Sequence, residues 1–311
     1  MDRYYRAPPV PSAFFWRRLQ SLMGLFLVIF LIEHLLTNSQ AALYVGSDGN
    51  GFIHAVNAIH NLPYLEILEI FLIGFPLVIH GIWGIVYLWT SKQNSYGFSP
   101  TKPLMTEYPR NHAYTWQRIT SWILLVGIIA HVVEMRFIKY PTEAKDGAET
   151  YYMVPVSADE GLYTLSDRLG VRLYTENEIA DSFANPKISP EENPVEIQRA
   201  EEKKHLRETM ESVKPKEGEV LTVSNSFGTA ELLMVRDTFK SPLMIFLYTL
   251  FISVAVFHAF NGLWTFSITW GITLTKRSQM YMRIFSVFLM LLIGLLGMSA
   301  VWGTYLINLK N

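Results

Sequence analysis

The sequence predicts an all-α membrane protein, a bundle of five transmembrane helices with an α+β insertion between the third and fourth helices. Half of the 311 residues are hydrophobic and the mean hydropathy is positive. Five apolar segments are each long enough for a membrane-spanning helix of about 20 residues. The stretch 140–239 is different, because it carries 20 acidic and 11 basic side chains. These observations favour a membrane bundle with one soluble part over two globular domains.

The apolar segments set the domain organisation. They cover residues 16–37, 64–90, 113–138, 241–275 and 280–309. Residues 1–139 are therefore assigned to helices 1 to 3, residues 140–239 to the soluble insertion, and residues 240–311 to helices 4 and 5. Tryptophans mark the segment ends, as at Trp16, Trp89, Trp116 and Trp270. They suit interfacial aromatic belts, and packing within the bundle would explain each one equally well.

The insertion reads as mixed structure. Alternating and β-branched residues predict strands at 151–157 and 219–224, with a short helix and strand over 162–174. A charged helix is predicted over 194–213, and its His205 is expected on a solvated face.

Basic residues in the short loops give the orientation. They lie before the first span, between the second and third, and near the turn between the fourth and fifth: Arg3, Arg6, Arg17, Arg18, Lys92, Lys102, Arg110, Lys276, Arg277 and Arg283. The loop 38–63 has no Lys or Arg. The positive-inside rule therefore places the amino terminus in the cytoplasm. With five spans, residues 140–239 and the carboxyl terminus are expected outside.

Cysteine is absent from the sequence. This excludes structural disulfides, thiolate-held iron–sulfur clusters and covalent haem attachment through C-x-x-C-H. Any cofactor must be held by histidine or by noncovalent packing. The first apolar run is long enough to span and is not followed by an A-x-A-like site, so no cleavable signal peptide is expected.

Each of the first four spans carries one histidine inside its apolar run, and the fifth carries none. These residues are His34, His80, His131 and His258. Ionisable groups at membrane depth are expensive and point to function. His34 and His131 lie roughly 27 Å from the inner ends of their spans, and His80 and His258 roughly 24 to 26 Å from the outer ends of theirs. The histidines therefore form two pairs, one near each membrane face.

Two imidazoles at one depth on different helices suit the axial ligation of a b-type haem, and two such sites would carry electrons across the bilayer. A single closed zinc site is not expected, because the histidines are divided between two depths. Polar contacts between helices remain the alternative for any one histidine.

Gly84, Gly127 and Gly262 lie one turn from three of the histidines and leave room for a macrocycle. Candidate partners for haem propionates, which would also serve as plain interfacial anchors, are Arg17, Arg18, Arg118 and Arg136. His54, His60 and His112 are interpreted as surface residues in loops or at span ends.

Several strings resemble one known family. They are RRLQSLMG (17–24), IEHLL (32–36), LEIFLIGFPLVIHGIWG (68–84), QRIT (117–120), HVVEMR (131–136) and FHAFNGLWTFSITWGITLTKRSQ (257–279). The chain is similar to the dihaem, five-helix, single-chain cytochrome b membrane anchor of bacterial succinate dehydrogenases and fumarate reductases. The match covers all five spans in order, about two thirds of the chain.

The resemblance implies an inner, higher-potential haem on His80 and His258 and an outer, lower-potential haem on His34 and His131. It also implies flavoprotein and iron–sulfur partner subunits on the cytoplasmic face of a bacterial inner membrane, with menaquinone reacting near the outer haem. Lipid is a further expected partner and nucleic acid is not. Residues 140–239 depart from the family, which usually has a short connection there.

A quinone site needs proton-exchanging groups near the quinone carbonyls. Glu33 and Glu134 lie beside the outer ligands and are the candidates, although each would also suit an interfacial contact to Arg136 or the loop. Two other functions remain open at this stage. One is a dihaem cytochrome b of a formate dehydrogenase or hydrogenase, and the other is a non-redox transporter or scaffold.

Overall fold

A computed structural model of the chain describes residues 10–42, 48–90, 92, 94–97, 99–182 and 194–309. Arg3 and Arg6, which the orientation argument uses, lie outside these ranges. The chain divides into two compact units. Unit 1 comprises Met1–His34, Glu66–Gly127 and Phe251–Gly294, and unit 2 comprises Leu35–Leu65, Ile128–Leu250 and Leu295–Asn311.

The described part of the chain is mostly helical. Its helices are α1 (Ser12–Ser39), α2 (Asn50–His60), α3 (Leu65–Glu69), α4 (Phe75–Thr90), α5 (Pro109–Val132), α6 (Glu160–Leu169), α7 (Glu176–Ser182), α8 (Pro194–Ser212), α9 (Phe227–Thr238), α10 (Pro242–Thr269), α11 (Lys276–Met298) and α12 (Thr304–Asn308). Turns of π-helix lie at Ile70–Gly74, Val133–Ile138 and Ser299–Gly303.

Five of these helical stretches are long and apolar enough to cross a membrane, which confirms the predicted number. They are Ser12–Ser39, Leu65–Thr90, Pro109–Ile138, Pro242–Thr269 and Lys276–Asn308. Proline occupies the first position of the third and fourth stretches, where its missing N–H costs no hydrogen bond. Trp89 at the end of α4 is 77% exposed, as expected of a residue at the edge of a bundle.

The fourth span ends at Thr269, six residues before the end of the apolar segment 241–275. Gly271 has a φ of 70°, and the amides of Ile272 and Thr273 bond back to the Ser267 carbonyl at 2.9 and 3.2 Å. Glycine adopts this left-handed conformation without steric cost and closes the helix. The next helix then begins early, at Lys276, because Thr275 and Ser278 exchange side-chain to backbone hydrogen bonds at 3.1 Å as a capping pair.

The π-helical turn in the second span precedes a buried proline, Pro76. A proline within a helix cannot donate to the carbonyl four residues earlier and clashes with it. The wider turn at Ile70–Gly74 accommodates this defect without ending the helix. Unit 1 also contains a small hairpin, β1 (Ser95–Tyr96) with β2 (Ser99–Pro103), which the sequence analysis did not predict.

Unit 2 contains an antiparallel sheet with the strand order β3-β4-β6-β5. The strands are β3 (Thr142–Asp146), β4 (Glu149–Ser157), β5 (Arg172–Tyr174) and β6 (Glu219–Ser224). Three of the four were predicted, and so were helices α6 and α8. Strand β3 was missed because its TEAKD sequence is polar. The sequence nevertheless contained a hairpin signal after β3, because Asp146-Gly147 is a typical hairpin-turn dipeptide. The domain boundaries at residues 140 and 239 stay a prediction.

Strand β6 lies in the middle of this sheet and is buried on both faces. On one face Leu221 and Val223 join Met153, Leu206 and Met210 in a hydrophobic cluster. The opposite face carries Thr222, whose hydroxyl donates to the Val154 carbonyl at 2.9 Å. Full burial of one side chain such as Leu221 contributes about 1.5 to 3 kcal/mol, and this strand lies at the core of the sheet in unit 2.

An ion-pair cluster lies at the start of helix α6. Asp159 caps that helix by accepting from the Leu162 amide at 2.7 Å. It also receives two hydrogen bonds from the buried Arg236, at 2.7 and 3.0 Å, and one from Lys240 at 2.6 Å. Burial disfavours the charged carboxylate, but these bonds and the two positive charges hold the pKa of Asp159 well below its usual range.

Helix α2 corrects the interpretation of His54 and His60 as loop residues. Both lie on α2. His54 is exposed, as expected, but the half-buried His60 stacks on Phe227 of α9 at 3.9 Å and contacts the Tyr152 hydroxyl at 3.2 Å. A β-carbon on Gly228 would lie 2.5 Å from the Ile53 carbonyl oxygen, so glycine allows α9 to pack closely on α2.

Candidate functional site

His80 and His258 lie together in unit 1. They come from α4 and α10, and their ring centroids are 6.2 Å apart with an angle of 82° between the ring planes. Neither residue is close to the other in sequence, so the approach depends on helix packing. Two imidazoles this close, on two apolar helices, have the donor chemistry that a haem iron accepts.

The centroid distance of this pair is compatible with two rings that hold one iron between them. Two ring nitrogens that share a metal at about 2 Å each would place the ring centroids about 6.3 Å apart. The indole N–H of Trp264, six residues after His258 on α10, is buried and has no hydrogen-bond partner among the described residues. It is therefore a donor that a bound polar group would satisfy.

Hydrogen bonds orient both rings. The Nδ1 of His80 lies 3.0 Å from the backbone carbonyl of Gln20, which can only accept, so Nδ1 carries the proton. The Nδ1 of His258 lies 3.3 Å from the Thr120 hydroxyl, which itself donates to the Trp116 carbonyl at 2.8 Å. With Nδ1 protonated, Nε2 of each ring is left as the atom that could bind a metal, as is usual for metal-bound histidine.

Span 3 also holds the helix that carries His258. The side chain of Gln117 donates to the His258 carbonyl at 3.2 Å and accepts from Asn261 at 2.6 Å. Asn261 donates in addition to the Ala113 carbonyl at 3.2 Å. These polar bonds between α5 and α10 fix the position of His258.

Three glycines near His80 and His258 differ in how closely they are packed, and one of them, Gly24, was not singled out from the sequence. A β-carbon on Gly24 would lie 2.9 Å from Cε1 of His80, which is too close for any ordinary contact. At Gly84 and Gly262, the predicted glycines, a β-carbon would meet the side chains of Gln20 and Gln117 at 3.7 and 3.8 Å. Gly24 therefore sets how closely span 1 packs on the His80 ring.

His131 lies in unit 2 and has a different environment. Its Nδ1 is 3.1 Å from the hydroxyl of Tyr248, and that hydroxyl donates to Glu134 at 3.2 Å. Glu134 forms an ion pair of 2.9 Å with Lys139. Of the two interfacial contacts that the sequence left open for Glu134, to Arg136 or to the loop, the ion pair to Lys139 follows the end of the span, and the guanidinium of Arg136 lies 4.5 Å from the ring centroid of Tyr140. Glu134 lies within the π-helical turn and Lys139 directly follows it, and the Lys139 amide donates to the Glu134 carbonyl at 2.9 Å, which brings the two residues together.

The other predicted site residues lie in unit 1. His34 is half-buried, with its ring 5.3 Å from that of Phe30, and Glu33 is exposed. The guanidinium of Arg18 stacks on Phe14 at 3.5 Å, and Arg17 is exposed. Arg118 donates to the carbonyls of Lys92 and Leu88 at 3.3 and 3.5 Å.

Sequence reasoning missed the residues that orient the ligands, chiefly Gln20, Thr120 and Tyr248. One signal was available. Gln20 precedes His34 by 14 residues, and Gln117 precedes His131 by 14 residues. Spans 1 and 3 thus repeat the same polar spacing. No comparable signal marks Tyr248, since a tyrosine in an apolar helix is common at membrane interfaces.

Within the described ranges, no group of three or more His, Asp or Glu side chains is arranged to hold a metal ion. What unit 1 offers a metal is the pair of imidazoles. No family model and no solved structure matches the chain.

One curated relative matches over nearly the whole chain. It is the succinate dehydrogenase cytochrome b558 subunit of Bacillus subtilis (strain 168), which is 26% identical over 290 residues, covering 93% of this chain and 96% of the relative. Together with the five apolar helices, this match identifies a multi-pass membrane protein. The chain is a relative of the succinate dehydrogenase cytochrome b subunit, and the resemblance that its membrane motifs indicated is confirmed.

Proposed function

We propose that this chain is the membrane-anchor cytochrome b of a succinate:quinone oxidoreductase. In this function it passes electrons from flavoprotein and iron–sulfur partner subunits through two b-type haems to menaquinone. The observation that most directly supports this proposal is the distance of 6.2 Å between the ring centroids of His80 and His258. Their hydrogen bonds leave Nε2 of each ring available as a ligand. The name of the Bacillus subtilis relative supports the same assignment.

The residues divide into two ligand sets. His80 and His258 would hold the inner haem, and His34 and His131 the outer one. Bound haem supplies one-electron transfer, and ligation by two histidines favours this over oxygen chemistry. Arg17, Arg18, Arg118 and Arg136 remain the candidate propionate partners. The guanidinium of Arg118 is restrained, because it already donates to two backbone carbonyls.

Quinone reduction consumes protons as well as electrons. Glu33 and Glu134 are proposed as the proton-exchanging groups. Glu33 is exposed on α1, and Glu134 is held by Lys139 and Tyr248. Proton exchange at Glu134 therefore requires its ion pair to open.

The proposed setting is a bacterial inner membrane. The amino terminus faces the cytoplasm, where the two partner subunits dock, and residues 140–239 and the carboxyl terminus lie outside. The loop basic residues carry this orientation. The acidic character of residues 140–239 does not oppose an outside location, because long domains cross the membrane regardless of their charge.

The deciding experiment is purification of the intact complex with three measurements on one sample. We expect a b-type α band in the reduced-minus-oxidised spectrum, two haems per chain, and succinate-dependent quinone reduction. A complex without the α band would exclude any cytochrome function and leave a transporter or scaffold. Two haems in a complex that lacks flavoprotein or succinate activity would instead favour a formate dehydrogenase or hydrogenase subunit.

A further inference from the structure

A continuous chain of hydrogen bonds leads from His131 to helix α9. It passes from His131 to Tyr248 at 3.1 Å, from Tyr248 to Glu134 at 3.2 Å, and from Glu134 to Lys139 at 2.9 Å. Lys139 finally donates to the hydroxyl of Thr238 at 2.9 Å. All five residues belong to unit 2.

The direction of each hydrogen bond follows from the groups involved. An ionised carboxylate can only accept, so the Tyr248 hydroxyl donates its proton to Glu134. The Tyr248 oxygen then accepts from Nδ1–H of His131. This assigns the proton to Nδ1 and leaves Nε2 as the ligand atom. The negative charge of Glu134 thereby reaches the imidazole through one hydroxyl.

We propose that Tyr248 and Glu134 are positioning residues that lower the reduction potential of the haem held by His131. The inference rests on the proposed function. A histidine that donates to an anion-linked partner is a more basic ligand, and a more basic ligand stabilises oxidised over reduced iron. His80 and His258 donate instead to a neutral carbonyl and a neutral hydroxyl, so the inner site lacks this effect.

Lys139 sets the strength of the effect. Its ammonium partly neutralises Glu134, and Thr238 fixes the ammonium in place. Thr238 is only 2% exposed, and its own proton is used in a bond of 2.9 Å to the Met234 carbonyl. Its oxygen is therefore an acceptor with a fixed position. In this way the last helix of the 140–239 segment acts on the ligand, which gives that segment a role in setting the potential.

The test is a redox titration of the haem α bands in the intact complex, with electron paramagnetic resonance of the oxidised haems. Tyr248→Phe removes the link, so we expect reduction of the outer haem to become roughly threefold to tenfold more favourable, a rise of about 28 to 59 mV for a one-electron couple. Glu134→Gln should raise the potential too. Lys139→Met should lower it, because the carboxylate loses its counter-charge. The inner haem should not shift in any of them.

Tyr163→Phe is the matched control, since Tyr163 lies exposed on α6 and should leave both potentials unchanged. Two bound haems with no shift in Tyr248→Phe would overturn the inference while the proposed function stands. If Tyr248→Phe loses the haem, the opposite signs expected for Glu134→Gln and Lys139→Met decide the matter, and shifts of equal sign would overturn it. Only one haem in the unsubstituted complex would overturn the proposed function itself.

Discussion

The surroundings of His80 and His258 differ in kind from those of His131. The pair in unit 1 is fixed by neutral groups, the Gln20 carbonyl and the Thr120 hydroxyl. His131 in unit 2 is linked through Tyr248 to a carboxylate and an ammonium. The same residue type on similar apolar helices is thus placed in two electrostatic environments. Because a haem takes its electron affinity partly from the hydrogen bonds of its ligands, two sites in one chain can differ in potential without any difference in ligand identity.

The largest effect is expected when one of the two histidines hydrogen-bonded to neutral groups, His80 or His258, is removed. His258→Ala should remove the haem of unit 1 and keep the haem on His131, so the extracted haem should fall by about half. Haem content is measured as the pyridine haemochrome per purified chain. His54→Ala is the control, because His54 is exposed on α2. Full haem content in His258→Ala would contradict the ligand assignment.

A smaller change tests the packing of the neutral pair. In Gly24→Ala the new β-carbon would lie 2.9 Å from the His80 ring, so the ring must move. We expect roughly tenfold faster loss of one haem to a haem-scavenging protein, the lower end of the effect of disturbed ligand orientation. Gly81→Ala is a close control, since nothing lies within 4 Å of its added carbon. Equal rates in the two variants would mean that Gly24 does not restrain His80.

The smallest expected effect is a change in the pH dependence of stability in unit 2. Burial raises the pKa of Glu231 on α9 to about 7, and the neighbouring Arg136 opposes this rise. The folded protein therefore binds this proton more tightly than the unfolded chain, whose value is 4.5. The stabilisation is complete below pH 4.5 and is lost as the pH rises toward 7.

Glu231→Gln should remove that part of the pH dependence. At pH 8 the variant should be more stable by about 1 to 2 kcal/mol, and at pH 4 the two proteins should be alike. Thermal unfolding of the whole complex in detergent from pH 4 to 8 measures this. Glu208→Gln on the exposed face of α8 is the control. Parallel pH profiles for Glu231→Gln and the unsubstituted chain would show that Glu231 does not titrate in this range.

The sequence predicted the five spans and their histidines because both signals are local. Apolar runs of membrane length are unmistakable, and an imidazole inside such a run stands out. Strand β6 was predicted with its observed limits, Glu219–Ser224, for a similar reason, because its β-branched residues favour a strand. The apolar segment does not reveal where the helix of span 4 ends, since hydropathy continues through Trp270 and Ile272 although Gly271 already turns the chain.

Helices α2 and α9 were missed because each depends on the other. Neither has a long apolar period of its own, and they are stabilised by contacts such as the stacking of His60 on Phe227. Helical structure in short segments comes mainly from tertiary packing. Strand β3 was missed for the same reason, since only its pairing with β4 makes TEAKD a strand.

The sequence by itself determined that the chain has five apolar segments long enough to span a membrane, that it contains no cysteine, and that one histidine lies in each of four of these segments. Only the tertiary structure decided what each histidine contacts. The approach of His80 to His258, the close packing of Gly24, and the link from His131 through Tyr248 to Glu134 join residues from different helices. Hydropathy and residue spacing describe one helix at a time, whereas these contacts depend on how neighbouring helices are rotated and spaced.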